Sequence, residues 1–168
     1  MPVLFWGVRL VRNFEAIVAM VAFAIMNLVV LGNVIIRFST GMSLVFTEEI
    51  AYLTFGYSVF FGAALLFRHR AMIAVDLVVD LLPEQLKRAA YILNYVILIA
   101  VCGYFFKLSL GLALTGWVRR TAFLEIPYFW VNLAPTIAFG LMMLYSVWFL
   151  TSLLRGQELP SVDLEEQM

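Results

Sequence analysis

Four stretches of this chain run the thickness of a membrane without meeting a charge. Residues 16–36, 50–67, 89–106 and 127–154 are predominantly apolar and free of charge, and each reaches the roughly 17–25 residues that a spanning helix requires. Inside lipid a backbone must satisfy its own polar groups, so α-helix is the expected solution for each run. The third run can be extended past Lys107 toward Trp117, and the fourth exceeds what a bilayer needs and contains Pro135, a natural point for tilt or kink. Composition agrees: 64% of the residues are apolar and 13% charged, against about 45–50% and about 25% in soluble domains. The expected fold class is all-α integral membrane, a single domain over residues 1–168 with four transmembrane helices and short interfacial helices.

The same composition excludes several kinds of chemistry. Eleven basic and eleven acidic residues cancel, which leaves no net field to attract nucleic acid. Cys102 is the one cysteine, so there is neither an intrachain disulfide nor an exchanging thiol pair. His69, the one histidine, sits between Arg68 and Arg70 at a loop edge, whereas a membrane haem needs two axial ligands. No His/Cys/Asp/Glu set has metal-ligand spacing, no glycine-rich phosphate loop is present, and no base neighbours a serine or cysteine within the runs. No cofactor and no enzyme activity are expected. Ala22-Phe23-Ala24, downstream of Arg9 and Arg12, has the small-x-small form of a signal cleavage site, but the apolar run continues for another dozen residues, which suits an anchor.

Charge sets the orientation. The N-terminus, second loop and tail hold Arg9, Arg12, Arg68, Arg70, Lys87, Arg88 and Arg155, and the opposite side holds Arg37, Lys107, Arg119 and Arg120. That asymmetry places both termini in the cytoplasm. Within the second loop, residues 72–82 carry Asp76 and Asp80 four apart among apolar residues and stop at Pro83, the pattern of a short interfacial helix. Residues 3–12, with Phe5, Trp6 and two arginines, suit the membrane surface as well, and residues 156–168 read as a loose polar tail. Phe123, Tyr128 and Trp130 fit an aromatic belt at one interface, with Tyr145 and Trp148 toward the other.

A small polar island lies between the first two spans: Asn33 and Arg37, then Thr47-Glu48-Glu49. One reading is local. Thr47 caps the second helix and two acids complement its dipole, terms of roughly 0.3–1 kcal/mol each, while Arg37 snorkels to the headgroups. The other is a contact, either an Arg37 pairing with Glu48 or Glu49 across the loop or a bond to another chain. An amide such as Asn33 in lipid needs a hydrogen-bond partner. Ser58 and Gly62 make a small-xxx-small step that would allow close helix approach. No acid lies in the interior of any run, which argues against a stand-alone proton-coupled exporter. A structural or regulatory four-span protein and a small exporter both stay open on the residues alone.

Asn33-Val-Ile-Ile-Arg37, Ser43-Leu44, Thr47-Glu48-Glu49-Ile50-Ala51, Phe61-Gly62-Ala63-Ala64, Val75-Asp76 and Leu124-Glu125-Ile126-Pro127, with Pro135 eight residues on, resemble in order and spacing the small membrane subunit of tripartite ATP-independent periplasmic (TRAP) transporters. The resemblance covers about residues 15–150. Departures are Phe46 where the family often has Trp, Tyr52 where it often has Arg, and Met72 where it often has His. The resemblance implies a non-catalytic subunit of the bacterial inner membrane that braces the scaffold of a large, elevator-type permease carrying substrate and sodium. A periplasmic binding protein for organic acids would be a transient partner and membrane lipids a constant one. On that reading Asn33, Arg37, Glu48, Glu49 and Asp76 are candidates to lock helices or contact partner subunits, while the charge and aromatic patterns themselves place Arg68, Arg70, Trp130 and Trp148 at the membrane interfaces.

Overall fold

The apolar runs become helices that continue beyond the uncharged residues until local chemistry stops them. In a computed structural model, which describes residues 13–69 and 84–155, α1 is Phe14–Thr40, α2 Phe46–Arg68, α3 Glu84–Thr115 and α4 Tyr128–Leu154. All four are long and apolar enough to cross a membrane. α1 carries on through Arg37, α2 takes Glu48 and Glu49 into its first turn, and α3 passes Lys107 without interruption. α1 ends at Gly41, whose φ of 71° is the left-handed conformation that glycine adopts without strain, and whose N–H donates to the Arg37 carbonyl at 2.9 Å. Pro135 stands inside α4 and cannot supply the N–H that the Val131 carbonyl would otherwise receive. The proposed interfacial helix with Asp76, Arg70, residues 3–12 and the tail lie outside the described residues.

Helix order in space differs from helix order in sequence. α1 packs on α2, α2 on α4, and α4 on α3, while the described backbones of α1 and α3 do not meet. The helices therefore stand in a row with α1 and α3 as the outer members. A row buries only the seams between neighbours, so most of each span stays uncovered: Leu28, Leu31, Ile35, Leu93, Leu112 and Leu144 are all exposed.

With no water to squeeze out, seams in lipid rely on close packing of small and complementary side chains. α4, an inner member, supplies the clearest case. Ala134, Ala138 and Ser146 are each at 0% exposure with Met142 between them, and spacing by fours keeps them on one helix face. Ala138 and Met142 meet Ala64 and Phe67 of α2 and Cys102 of α3 in one buried cluster. The α1–α2 seam is aromatic: Phe61, 1% exposed, takes the edge of Phe14 at 5.8 Å and the face of Tyr57 at 6.0 Å.

Close approach occurs where glycine meets aromatic groups across α3 and α4. A Cβ at Gly140 would stand 3.2 Å from the Phe106 ring, and one at Gly116 would stand 2.7 Å from the Phe129 backbone nitrogen. At Gly62 an added Cβ meets nothing within 4 Å. The close approach anticipated at Ser58 and Gly62 is thus not made by any described helix of this chain. The helix that does make one, α4, marks it with Gly140 beside a face of buried alanine and serine.

Candidate functional site

The polar residues gather at the two ends of the row. At the end formed by the α1–α2 connection, Asn33 folds its amide over the loop that follows its own helix. Its Oδ1 accepts the Leu44 N–H at 2.9 Å, and its Nδ2 lies 3.4 Å from Ser43 Oγ. The amide thereby gains the partner it needs, and the loop into α2 gains a fixed start. Thr47 does not cap the helix as the sequence suggests. α2 begins one residue earlier, at Phe46, and Thr47 Oγ1 donates to the Leu44 carbonyl instead of accepting a backbone N–H.

Glu49 links the two helical hairpins. Its Oε1 accepts the Phe123 N–H at 2.8 Å and its Oε2 the Leu124 N–H at 2.9 Å. Those amides lie at the tip of the α3–α4 connection, a hairpin-like turn closed by an Arg120–Pro127 bridge, a Thr121 N–H to Ile126 carbonyl bond of 3.0 Å and a Tyr128 N–H to Arg119 carbonyl bond of 2.9 Å. Glu125 in that turn adopts φ 52°, a rare conformation for a residue other than glycine. The carboxylate thus holds a tip whose amides point toward α2. Alongside, Tyr57 Oη donates to the Trp130 carbonyl at 2.9 Å, and Asn132 Nδ2 donates to the Leu112 carbonyl at 3.2 Å. Sequence reasoning placed no role on Tyr57 or Asn132; a polar side chain inside an apolar helix was the available signal.

Between these groups opens a cleft of about 310 Å³, lined by Glu48, Glu49, Tyr52, Thr121 and Tyr128. The Arg119 guanidinium lies 5.4 Å from the Tyr128 ring centroid, within cation–π range. Glu48 is exposed while Glu49 is half-buried. Two adjacent acids therefore have different roles: Glu49 holds the loop and Glu48 faces outward. Arg37 is exposed, and among the described residues no ion pair joins it to Glu48 or Glu49.

The opposite end carries a site that the sequence reading missed. Glu15, in the first turn of α1, is only 3% exposed. It pairs with Arg68 at the end of α2 at 3.4 Å and accepts a hydrogen bond from the Tyr145 hydroxyl of α4. Arg68, expected at the membrane interface, stands at the end of α2 and keeps 24% side-chain exposure in this pair. Tyr145, expected in an aromatic belt, is half-buried against the same carboxylate. The signal was in the sequence, since Glu15 is the first acid of the chain and directly precedes the first uncharged run. Nearby, Arg88 Nη2 of α3 donates to the Leu153 carbonyl at the end of α4 at 3.3 Å.

Trp130 and Trp148 do stand exposed at 47% and 58%, and their 18-residue separation on α4 spans about 27 Å, close to the thickness of a hydrocarbon core. Among the described residues no group of three or more His, Cys, Asp or Glu side chains is placed to hold a metal.

Two comparisons bear on identity. Over 84 residues the chain is 31% identical to a Haemophilus influenzae protein assigned as a TRAP transporter small permease; the match covers 49% of this chain and 51% of that relative. The chain thus spans about half the length of the curated relative it matches. Residues 26–156 match the family described as tripartite ATP-independent periplasmic transporters, DctQ component. That match takes in Asn33, the paired acids, the α3–α4 turn and all of α2, α3 and α4, so the chain belongs to the DctQ component family of tripartite ATP-independent periplasmic transporters.

Proposed function

We propose that this chain is a non-transporting membrane subunit that braces the scaffold of a large permease, which itself carries an organic acid and sodium. The observation that carries this reading is the helix row. Four spans in a row enclose no path for a solute, and they offer two broad apolar faces, one for lipid and one for a larger membrane protein. The acids within the described helices are Glu15, Glu48, Glu49 and Glu84, all within a turn of a helix end. Proton coupling by a membrane carrier relies on ionisable groups deep in the bilayer, and no carboxylate of these helices stands there.

With both termini cytoplasmic, the Asn33–Glu49 end faces the periplasm of an inner-membrane complex, and the Glu15–Arg68–Tyr145 end faces the cytoplasm. The periplasmic cleft, with Glu48 and Arg37 outward, is then the place where a binding protein delivering substrate would meet this subunit. The Glu49 clamp ties α2 to the α3–α4 turn at one end and the Glu15 cluster joins α1, α2 and α4 at the other, which gives the row the stiffness a brace needs.

Reconstitution into proteoliposomes tests the proposal. The chain alone moves no organic acid. Together with the large subunit and the binding protein, it supports uptake driven by a sodium gradient. Net transport by the chain alone would overturn the proposal.

A further inference from the structure

α1 carries a primary amide at the centre of its span. Thirteen residues of the helix precede Asn27 and thirteen follow it. The helix is about 40 Å long against a hydrocarbon core of about 30 Å, which leaves about 5 Å spare at each end. Asn27 therefore lies within about 5 Å of the bilayer midplane. The charged residues Glu15 and Arg37, about 18 and about 15 Å away along the axis, mark the two boundaries. Neither water nor a lipid headgroup serves a polar group at that depth.

The amide is half satisfied. Its Nδ2 donates back to the Phe23 carbonyl at 2.8 Å, the local bond by which a polar side chain settles on its own helix. Among the described residues no donor reaches its Oδ1. An amide oxygen without a donor is costly in hydrocarbon, and a leucine here would avoid that cost. The rest of the row offers no remedy. The buried Glu15 and Ala22 and the loop-bound Asn33 share one side of α1, and Asn27 stands about 120–140° around the helix from all three. Met20, Phe23 and Leu31, each more than half exposed, lie on its side. α1 is an outer member of the row with α2 as its backbone neighbour, so a donor for Oδ1 has to come from a helix outside the row.

We infer that this side of α1 packs against a transmembrane helix of the large partner subunit, and that a side-chain N–H or O–H of that helix donates to Asn27 Oδ1. The inference rests on the bracing role proposed above and names the face and the depth at which brace and partner meet. Acyl chains hold no donor, so contact with lipid alone leaves the oxygen unmet. A serine, threonine, asparagine or glutamine on a facing helix meets it.

Titration of the tagged large subunit with the chain in mixed micelles, together with photo-crosslinking in native membranes, tests it. Asn27→Leu weakens association about 3–20-fold, the range that an interhelical hydrogen bond in lipid spans. Asn27→Gln, which keeps the amide, weakens it less. Asn27→Leu inserts and folds as the wild type does, because the position faces away from the chain's own seams. A photoreactive residue in place of Phe23 or Leu31 captures the large subunit. Wild-type affinity of Asn27→Leu overturns the inference, and so does capture of lipid or of a second copy of the chain in place of the large subunit. Each of these results leaves the bracing role standing. Failure of the wild-type chain to bind the large subunit removes the bracing role, and the inference with it.

Discussion

Replacing Glu15 with alanine should loosen α1 from the rest of the molecule more than any other change in that helix. The carboxylate is 3% exposed and holds two groups from two other helices, the Arg68 guanidinium and the Tyr145 hydroxyl. Removing one member of a buried ion pair costs about 3–5 kcal/mol because the partner charge is left uncompensated. Arg68 retains 24% side-chain exposure and has a further interaction of its own, so these, with headgroups and water, recover part of that, and the expected loss is about 2–4 kcal/mol. Glu15→Gln keeps an acceptor for the tyrosine and loses only the charge, so it should fall between wild type and Glu15→Ala. Tyr145→Phe removes a hydrogen bond to an ionic group, about 1.5–3 kcal/mol. SDS-titrated unfolding of the purified chain in mixed micelles measures all three, and a Glu15/Arg68 double-mutant cycle isolates the pair. Stability of Glu15→Ala within about 0.5 kcal/mol of wild type, with zero coupling in the cycle, would refute the reasoning.

Three further outcomes follow from the same geometry. Glu49→Ala should expose the Phe123 and Leu124 amides to hydrogen exchange, whereas Glu48→Ala should leave their protection unchanged; equal effects would erase the division of labour between the two acids. Gly116→Ala should destabilise by about 1–3 kcal/mol because the added methyl meets backbone rather than a movable side chain, while Gly62→Ala should be neutral or stabilising by up to about 1 kcal/mol, both read in the same unfolding assay. Asn33→Leu should speed exchange of the Leu44 amide, and Asn33→Asp, which keeps the acceptor oxygen, should largely preserve it.

How much could be read without coordinates follows from what each feature depends on. The four spans were legible because hydrocarbon excludes charge over a fixed length, a one-dimensional constraint. The helix ends were not, since Gly41 ends α1 well past Ile36 and α2 starts before its acids rather than after them. Asn33 stood out because a lone amide beside lipid demands a partner, although the partner proved to be a loop amide. Glu48 and Glu49 looked equivalent, and only the position of the α3–α4 turn separates them. Glu15 escaped because it abuts an uncharged run, and burial of a residue at a helix start depends on neighbours distant in sequence.

The amino-acid order alone determined that this protein is a four-span helical membrane protein, that the interior of its spans carries no acid to couple a proton gradient, and that its acids sit at the edges of its apolar runs. Each of these follows from the energetics of single residues in lipid. The tertiary structure decided that the helices stand in the order α1, α2, α4, α3, and that Glu49 and Glu15 tie the row at its two ends. It also left Asn27 and Gly62 facing outward. Which apolar face meets which is set by the fit of small against large side chains, here Gly140 against Phe106 and Ala138 against its neighbours, and nearly uniform hydrophobicity along four helices holds no record of it.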